Sequence, residues 1–151
     1  MTTPRPLAPF LAEQLDWHWR TQARPRLEGL TDAEYLWEPA AGAWSVRRRG
    51  QAAPASATMR AGAGEWLVDF AFPEPDPAPV TTIAWRLAHV VVGVFGMRAA
   101  SHFGGPACAY DTWEYAGTAA GALAQLDAAH AAWREGVAGL DDAALYRAGV
   151  A

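Results

Sequence analysis

Apolar residues recur at intervals of three and four over three long stretches of this chain, and each stretch predicts an amphipathic helix. In the first, about residues 7–27, Leu11, Leu15, His18 and Gln22 repeat at helical spacing with Trp17 and Trp19 beside them. Pro25 lies in its last turn and predicts a kink or an end there. The second begins at Thr81 or Thr82, either of which suits an N-cap, and runs to about Phe103. Its stripe is Ile83, Leu87, Val90, Val94 and Met97, and Gly104-Gly105-Pro106 predicts its end. The third starts after Thr118, runs to about Gly139 and carries Leu123, Leu126, His130, Trp133 and Val137 on one face.

Between the long stretches the pattern is shorter. Thr31 followed by Glu34 is a capping box, which predicts a short helix through Trp37, stopped by Glu38-Pro39. Leu140-Asp141-Asp142-Ala143-Ala144-Leu145 repeats that loop-then-turn logic. Residues 40–80 differ. Trp44-Ser45-Val46-Arg47 and Glu65-Trp66-Leu67-Val68-Asp69-Phe70 alternate as strands do, with Gly-, Ala- and Pro-rich sequence between them and an extended proline run after them. The expectation is a long loop or small two-stranded ribbon, too poor in apolar residues to fold alone. Residues 1–151 therefore read as a single, mainly α domain.

Composition narrows the functional classes. The 151 residues are 52% hydrophobic and include eight tryptophans. An indole wants a partner for its N–H, so some of them are expected to line a cavity or a polar boundary. The net charge of −4 argues against nucleic acid as a partner. The only basic cluster, Arg47-Arg48-Arg49, reads as a solvated turn. A single cysteine and an N-terminus without a long apolar run fit a cytoplasmic protein. The longest apolar stretch, within 83–97, contains Arg86 and His89 and reads as too short to span a membrane.

His89 stands out as an imidazole in the apolar run Ile83-Ala84-Trp85-Arg86-Leu87-Ala88-His89-Val90-Val91-Val92. A buried imidazole must satisfy both nitrogens, and a metal ion with an outer acceptor is one way to do so. One histidine cannot hold a metal, and no two of the four histidines are spaced as a helical ligand pair. His18 can reach a pocket to bond a substrate or a metal-bound water, or sit at a boundary among Trp17 and Trp19. His130 reads as core or pocket wall, and His102 as a C-terminal cap of its helix. Trp44 and Trp85 can rim a cavity, since Trp85 is one turn before His89, or simply pack. Cys108 has no basic neighbour to lower its pKa and reads as inert. No phosphate loop, no Ser-His-Asp order and no Cys-x-x-Cys occurs.

The segments LEGLTDAEYLWEP (27–39), GAWSVR (42–47) and TIAWRLAHVVVGVFGMR (82–98), in this order, resemble the DinB-like superfamily. The resemblance implies an antiparallel four-helix bundle with a divalent metal, Zn²⁺ or Ni²⁺, at one end of its core. It also implies transferase or isomerase chemistry on a low-molecular-weight thiol such as mycothiol or bacillithiol. By the family pattern, His89 matches the metal ligand of the second helix. The His-x-x-x-His or Glu-x-x-x-His pair of the fourth helix has no match, so the expectation is a bundle with three of its four long helices and an incomplete metal site. The partners expected are a small-molecule substrate or thiol, with neither nucleic acid nor membrane; the apolar trough the missing helix would cover implies either a homodimer formed through it or a poorly packed fold. The alternative is a non-enzymatic helical module that binds a small apolar ligand in a tryptophan-lined cavity, or a partner protein.

Overall fold

A computed structural model describes residues 6–147; residues 1–5, which carry most of the leader reading, and 148–151 lie outside it. The first helix, α1 (Leu7–His18), continues without a break through a π turn (Trp19–Ala23) and a 3-10 turn (Arg24–Leu27). Pro25 falls in the first turn of that 3-10 segment, where its missing N–H costs no ladder bond. The buried face of α1 is not the Leu11–Leu15–His18–Gln22 line. Ala8 and Ala12 are buried, Leu15 and Trp19 are half-buried, and Leu11 and His18 are exposed. The small alanines let α1 approach the last long helix, α5 (Ala119–Ala138), closely, and Trp19 lies flat on His130, with ring centroids 4.0 Å apart and planes within 8°. That stack fixes the rotation of α1.

The Thr31–Glu34 capping box forms and opens α2 (Asp32–Tyr35), which ends two residues before the predicted Trp37. α2 is tied at two points to the chain where α5 begins. The buried Tyr35 donates to the Ala116 carbonyl at 2.9 Å, and Asp32 accepts the Ala119 amide at 2.7 Å.

Residues 40–80 hold three strands rather than two: β1 (Val46–Arg48), β2 (Met59–Ala61) and β3 (Trp66–Phe70), antiparallel in the order β1-β3-β2. Val46 and Ala61 both register against Val68, and all three are buried. Asp69 is fully buried beneath the sheet. It accepts from Arg47 Nε at 2.8 Å and from the Ser45 amide at 3.1 Å, and Arg60 Nε stands 3.6 Å away. A buried carboxylate is tolerable only when paired in this way. Of the arginine cluster, Arg48 and Arg49 are exposed as a solvated turn requires, and Arg47 is not. Arg47 is buried in this ion cluster, and Arg49 donates to the carbonyls of Gly62 and Gly64.

Thr82 caps α3 (Ile83–His89) by accepting the Trp85 amide. A π segment (Val90–Gly96) and α4 (Met97–Phe103) continue it as one helix of 21 residues. Its buried side is Ala84, Leu87, Ala88, Val91 and Val92, while Val94 and Met97 are exposed. The predicted stripe fails beyond residue 90 because i→i+5 bonding breaks the 3.6-residue spacing on which it was drawn. His89, expected inside, is exposed. With a mean hydropathy of 1.3, this helix is long and apolar enough to cross a membrane by length and composition, contrary to the expectation; here α5 and the sheet cover one face of it.

Thr118 caps α5 (Ala119–Ala138), which buries Ala119, Ala122, Leu126 and His130. Asp141 caps α6 (Asp142–Leu145), and Asp142 accepts the Leu7 amide at 2.8 Å. α5 lies between the other two long helices. Arg24–Asp127 and Arg134–Asp16 ion pairs set α1 antiparallel to it. Phe95 on His130 and Phe103 on Trp133 set the 83–103 helix parallel to it. Residues 104–118 carry the chain back between those two parallel helices, and this return segment completes the site described next. The fold is mainly α, a helical bundle flanked by a small sheet.

Candidate functional site

The site grows from the junction of β1 and α3. Trp44 donates its amide to the Val80 carbonyl and accepts the Thr82 amide, each at 2.9 Å, so the strand is zipped to the N-cap of α3. Thr82 Oγ1 donates to Ser45 Oγ at 3.0 Å and reinforces that junction. The two indoles it brings together are 6.2 Å apart and inclined at 47°. Both have their N–H satisfied: Trp44 donates to Ser56 Oγ at 3.0 Å and Trp85 to the Asp69 carbonyl at 2.7 Å. What Trp85 offers a ligand is ring surface; Trp44, 3% exposed, is buried behind it. The buried Asp69–Arg47 cluster therefore positions Trp85 through the backbone of β3.

One turn after Trp85, His89 stacks on it, with centroids 5.4 Å apart and planes within 11°. Tyr110, from the return segment, places its hydroxyl 2.7 Å from His89 Nδ1 and its ring 6.2 Å from the imidazole. Tyr110 reaches this point because residue 93 is glycine. A Cβ there would overlap the Tyr110 hydroxyl and lie 3.3 Å from His89 Cε1. Tyr115 donates to the Tyr110 carbonyl at 2.9 Å and fixes the segment's backbone. Burial, with a smaller contribution from Cys108, raises the Tyr110 pKa, so the phenol keeps its proton. The hydrogen bond orients the imidazole and leaves Nε2 as the nitrogen open to a ligand. Cys108 has its pKa raised by burial, which keeps it a thiol rather than a nucleophilic thiolate.

These rings wall a pocket of about 430 Å³. Val68 and Phe70 of β3 form its floor, and Phe72 and Glu74, on the proline-rich strap after β3, form its outer edge. The volume suits a small organic molecule. A second, more open cleft of about 660 Å³ lies between Arg26, Leu30, Trp37 and Ile83. Arg26, Glu28 and the capping-box carboxylate Glu34 line it, the last committed to Thr31.

Of the residues singled out from sequence, Trp44, Trp85 and His89 meet in the pocket. His18 does not line it; it is exposed on α1 beside Trp17. His130 does not line it either. It is buried on α5 between Trp19 and Phe95, its Nε2 has no hydrogen-bond partner, and desolvation lowers its pKa. Tyr110, Phe70 and Glu74 are pocket residues that the sequence reading did not single out. The one signal available was Gly93, a glycine inside a helical run, which often marks a close approach.

A metal at His89 would need two or more further donors. Among the described residues no group of three His, Cys, Asp or Glu side chains could hold an ion. His89 already has Nδ1 engaged by Tyr110. The residues present do not fit the metal that the family resemblance implies.

In comparison with known proteins, the family model described as DinB superfamily matches residues 14–151. No curated protein and no solved structure matches the chain.

Proposed function

The chain belongs to the DinB superfamily, and from that premise we propose that it binds a small organic molecule in the pocket between Trp44, Trp85 and Tyr110, with His89 as the polar contact. The observation that carries this reading is the convergence of four elements on one small cavity: the strand junction at Trp44, β3, α3 and the return segment. Each contributes an aromatic ring whose polar atom, where it has one, is bonded to protein. Rings held in this way give a ligand apolar surface and leave one imidazole nitrogen to orient it. The family's metal-dependent thiol chemistry would use His89 as a ligand, but the donor set around His89 does not support it.

The test is a panel of small aromatic and aliphatic fragments screened by ligand-observed NMR against the whole chain and its Trp85→Ala and His89→Ala variants. Fragments that bind the parent should lose binding in Trp85→Ala and weaken in His89→Ala. Fragments that bind all three proteins equally would contradict the proposal.

A further inference from the structure

The walls of this pocket carry an electrostatic bias. None of the twelve basic residues, all of them arginine, lines it. Its single charged lining residue is Glu74, which has no ion-pair or hydrogen-bond partner among the described residues. Glu74 sits between Pro73 and Pro75 on the strap, so two fixed φ angles hold the carboxylate's backbone at the pocket edge. The other walls are aromatic faces, whose quadrupoles attract a cation within about 6 Å of the ring centroid. An anion would meet no basic side chain here. A neutral molecule would use the rings and leave the carboxylate idle.

We infer that the pocket selects an organic cation, an alkylammonium or quaternary ammonium group seated against Trp85 and Tyr110, with Glu74 as its counter-charge. The inference rests on the proposal that this pocket is the binding site, and adds the chemical class of the ligand. An ammonium headgroup is small enough for about 430 Å³ with room for a short substituent. The carboxylate lies on the exposed strap rather than in the floor, so it contributes attraction without a large desolvation cost.

Three probes of nearly equal shape separate the alternatives: (2-hydroxyethyl)trimethylammonium, its neutral carbon isostere 3,3-dimethylbutan-1-ol, and the anion 3,3-dimethylbutanoate. Each is titrated into the whole chain and into Glu74→Gln, following the Trp44 and Trp85 indole N–H signals. The cation should bind about tenfold more tightly than the neutral isostere and more tightly still than the anion. Glu74→Gln, on an exposed strap, should leave the fold intact and remove most of the preference while leaving neutral binding unchanged. If the neutral probe or the anion binds as tightly as the cation at these indoles, the cation inference fails and the pocket proposal stands. If no probe moves these signals at millimolar concentration, both fail.

Discussion

Replacing Gly93 with alanine tests how closely the return segment is fitted against α3. A Cβ at residue 93 would overlap the Tyr110 hydroxyl and lie 3.1 Å from Tyr110 Cζ, so the phenol must swing away from His89. Overpacking of this kind costs about 1–3 kcal/mol. Losing the hydroxyl–imidazole hydrogen bond costs a further ~1 kcal/mol. Against both stands the better helix propensity of alanine, worth about 1 kcal/mol over glycine. The repulsive terms win, and Gly93→Ala alone should destabilise the fold by roughly 1–3 kcal/mol. In a Tyr110→Phe background the overlapping oxygen is gone and the contacts left, 3.1 Å to the ring and 3.3 Å to His89 Cε1, can relax by a few tenths of an ångström, so the same substitution should be nearly neutral. Urea unfolding of the parent, both single variants and the double variant closes the cycle. A coupling of at least ~1 kcal/mol is expected, well above the ~0.5 kcal/mol within which independent sites add. Additive effects would refute the fitted contact between Gly93, His89 and Tyr110.

Four further outcomes follow from the same structure. Asp69→Ala removes one of the two carboxylates paired with the buried Arg47, Glu38 remaining at 2.6 Å, and also the acceptor of the Ser45 amide; it should cost about 3 kcal/mol in urea unfolding; a cost under ~1 kcal/mol would mean that the cluster is solvated. His130 holds a proton less readily in the fold than in the unfolded chain, because burial and Arg134 outweigh the pull of Asp16 and Asp127. Stability is therefore full above the ordinary histidine value near 6.5 and is lost as pH falls through it toward the lowered folded value. His130→Phe should flatten that loss between pH 7 and pH 5, and an unchanged pH slope would contradict it. Thr31→Ala removes the capping hydroxyl of α2 and should cost about 1 kcal/mol, whereas no change would place the capping box outside the cooperative fold. Calorimetric titration with Zn²⁺ or Ni²⁺ should show no tight one-to-one binding that depends on His89; submicromolar binding lost in His89→Ala would show that the donor set is larger than it looks.

Local signals carried most of what the sequence revealed. The helix starts at Thr31, Thr82, Thr118 and Asp141 were legible because an N-cap is a contact within four residues. Helix rotation was not. On α1, Leu11 and His18 advertise an apolar face, but Ala8 and Ala12 allow the closer approach to α5, and the Trp19–His130 stack is a long-range contact. On the 83–103 helix the π segment shifts every position after His89 out of the assumed period. β2 was unreadable because Met59-Arg60-Ala61 alternates over only three residues, too few to signal a strand, and takes its register from β3. For the site, Trp85 and His89 were visible as a pair one turn apart. Tyr110 was not, since it lies in an aperiodic segment and acquires its role only where residues 104–118 fold back along Gly93 and Gly96. A Cβ at residue 96 would stand 2.6 Å from Cys108 Sγ, so the second glycine admits the same segment.

The central claim is where ligands bind, and indole N–H mapping tests it most directly. With eight tryptophans distributed over the chain, ¹H–¹⁵N spectra of uniformly labelled protein, assigned by single Trp→Phe variants, report on each region separately. Titration with the fragments that bind should shift the Trp44 and Trp85 signals first and furthest and leave Trp37, in the wider cleft beside Leu30, unmoved. Shifts centred on Trp37, or spread evenly over all eight indoles, would contradict a binding site at His89.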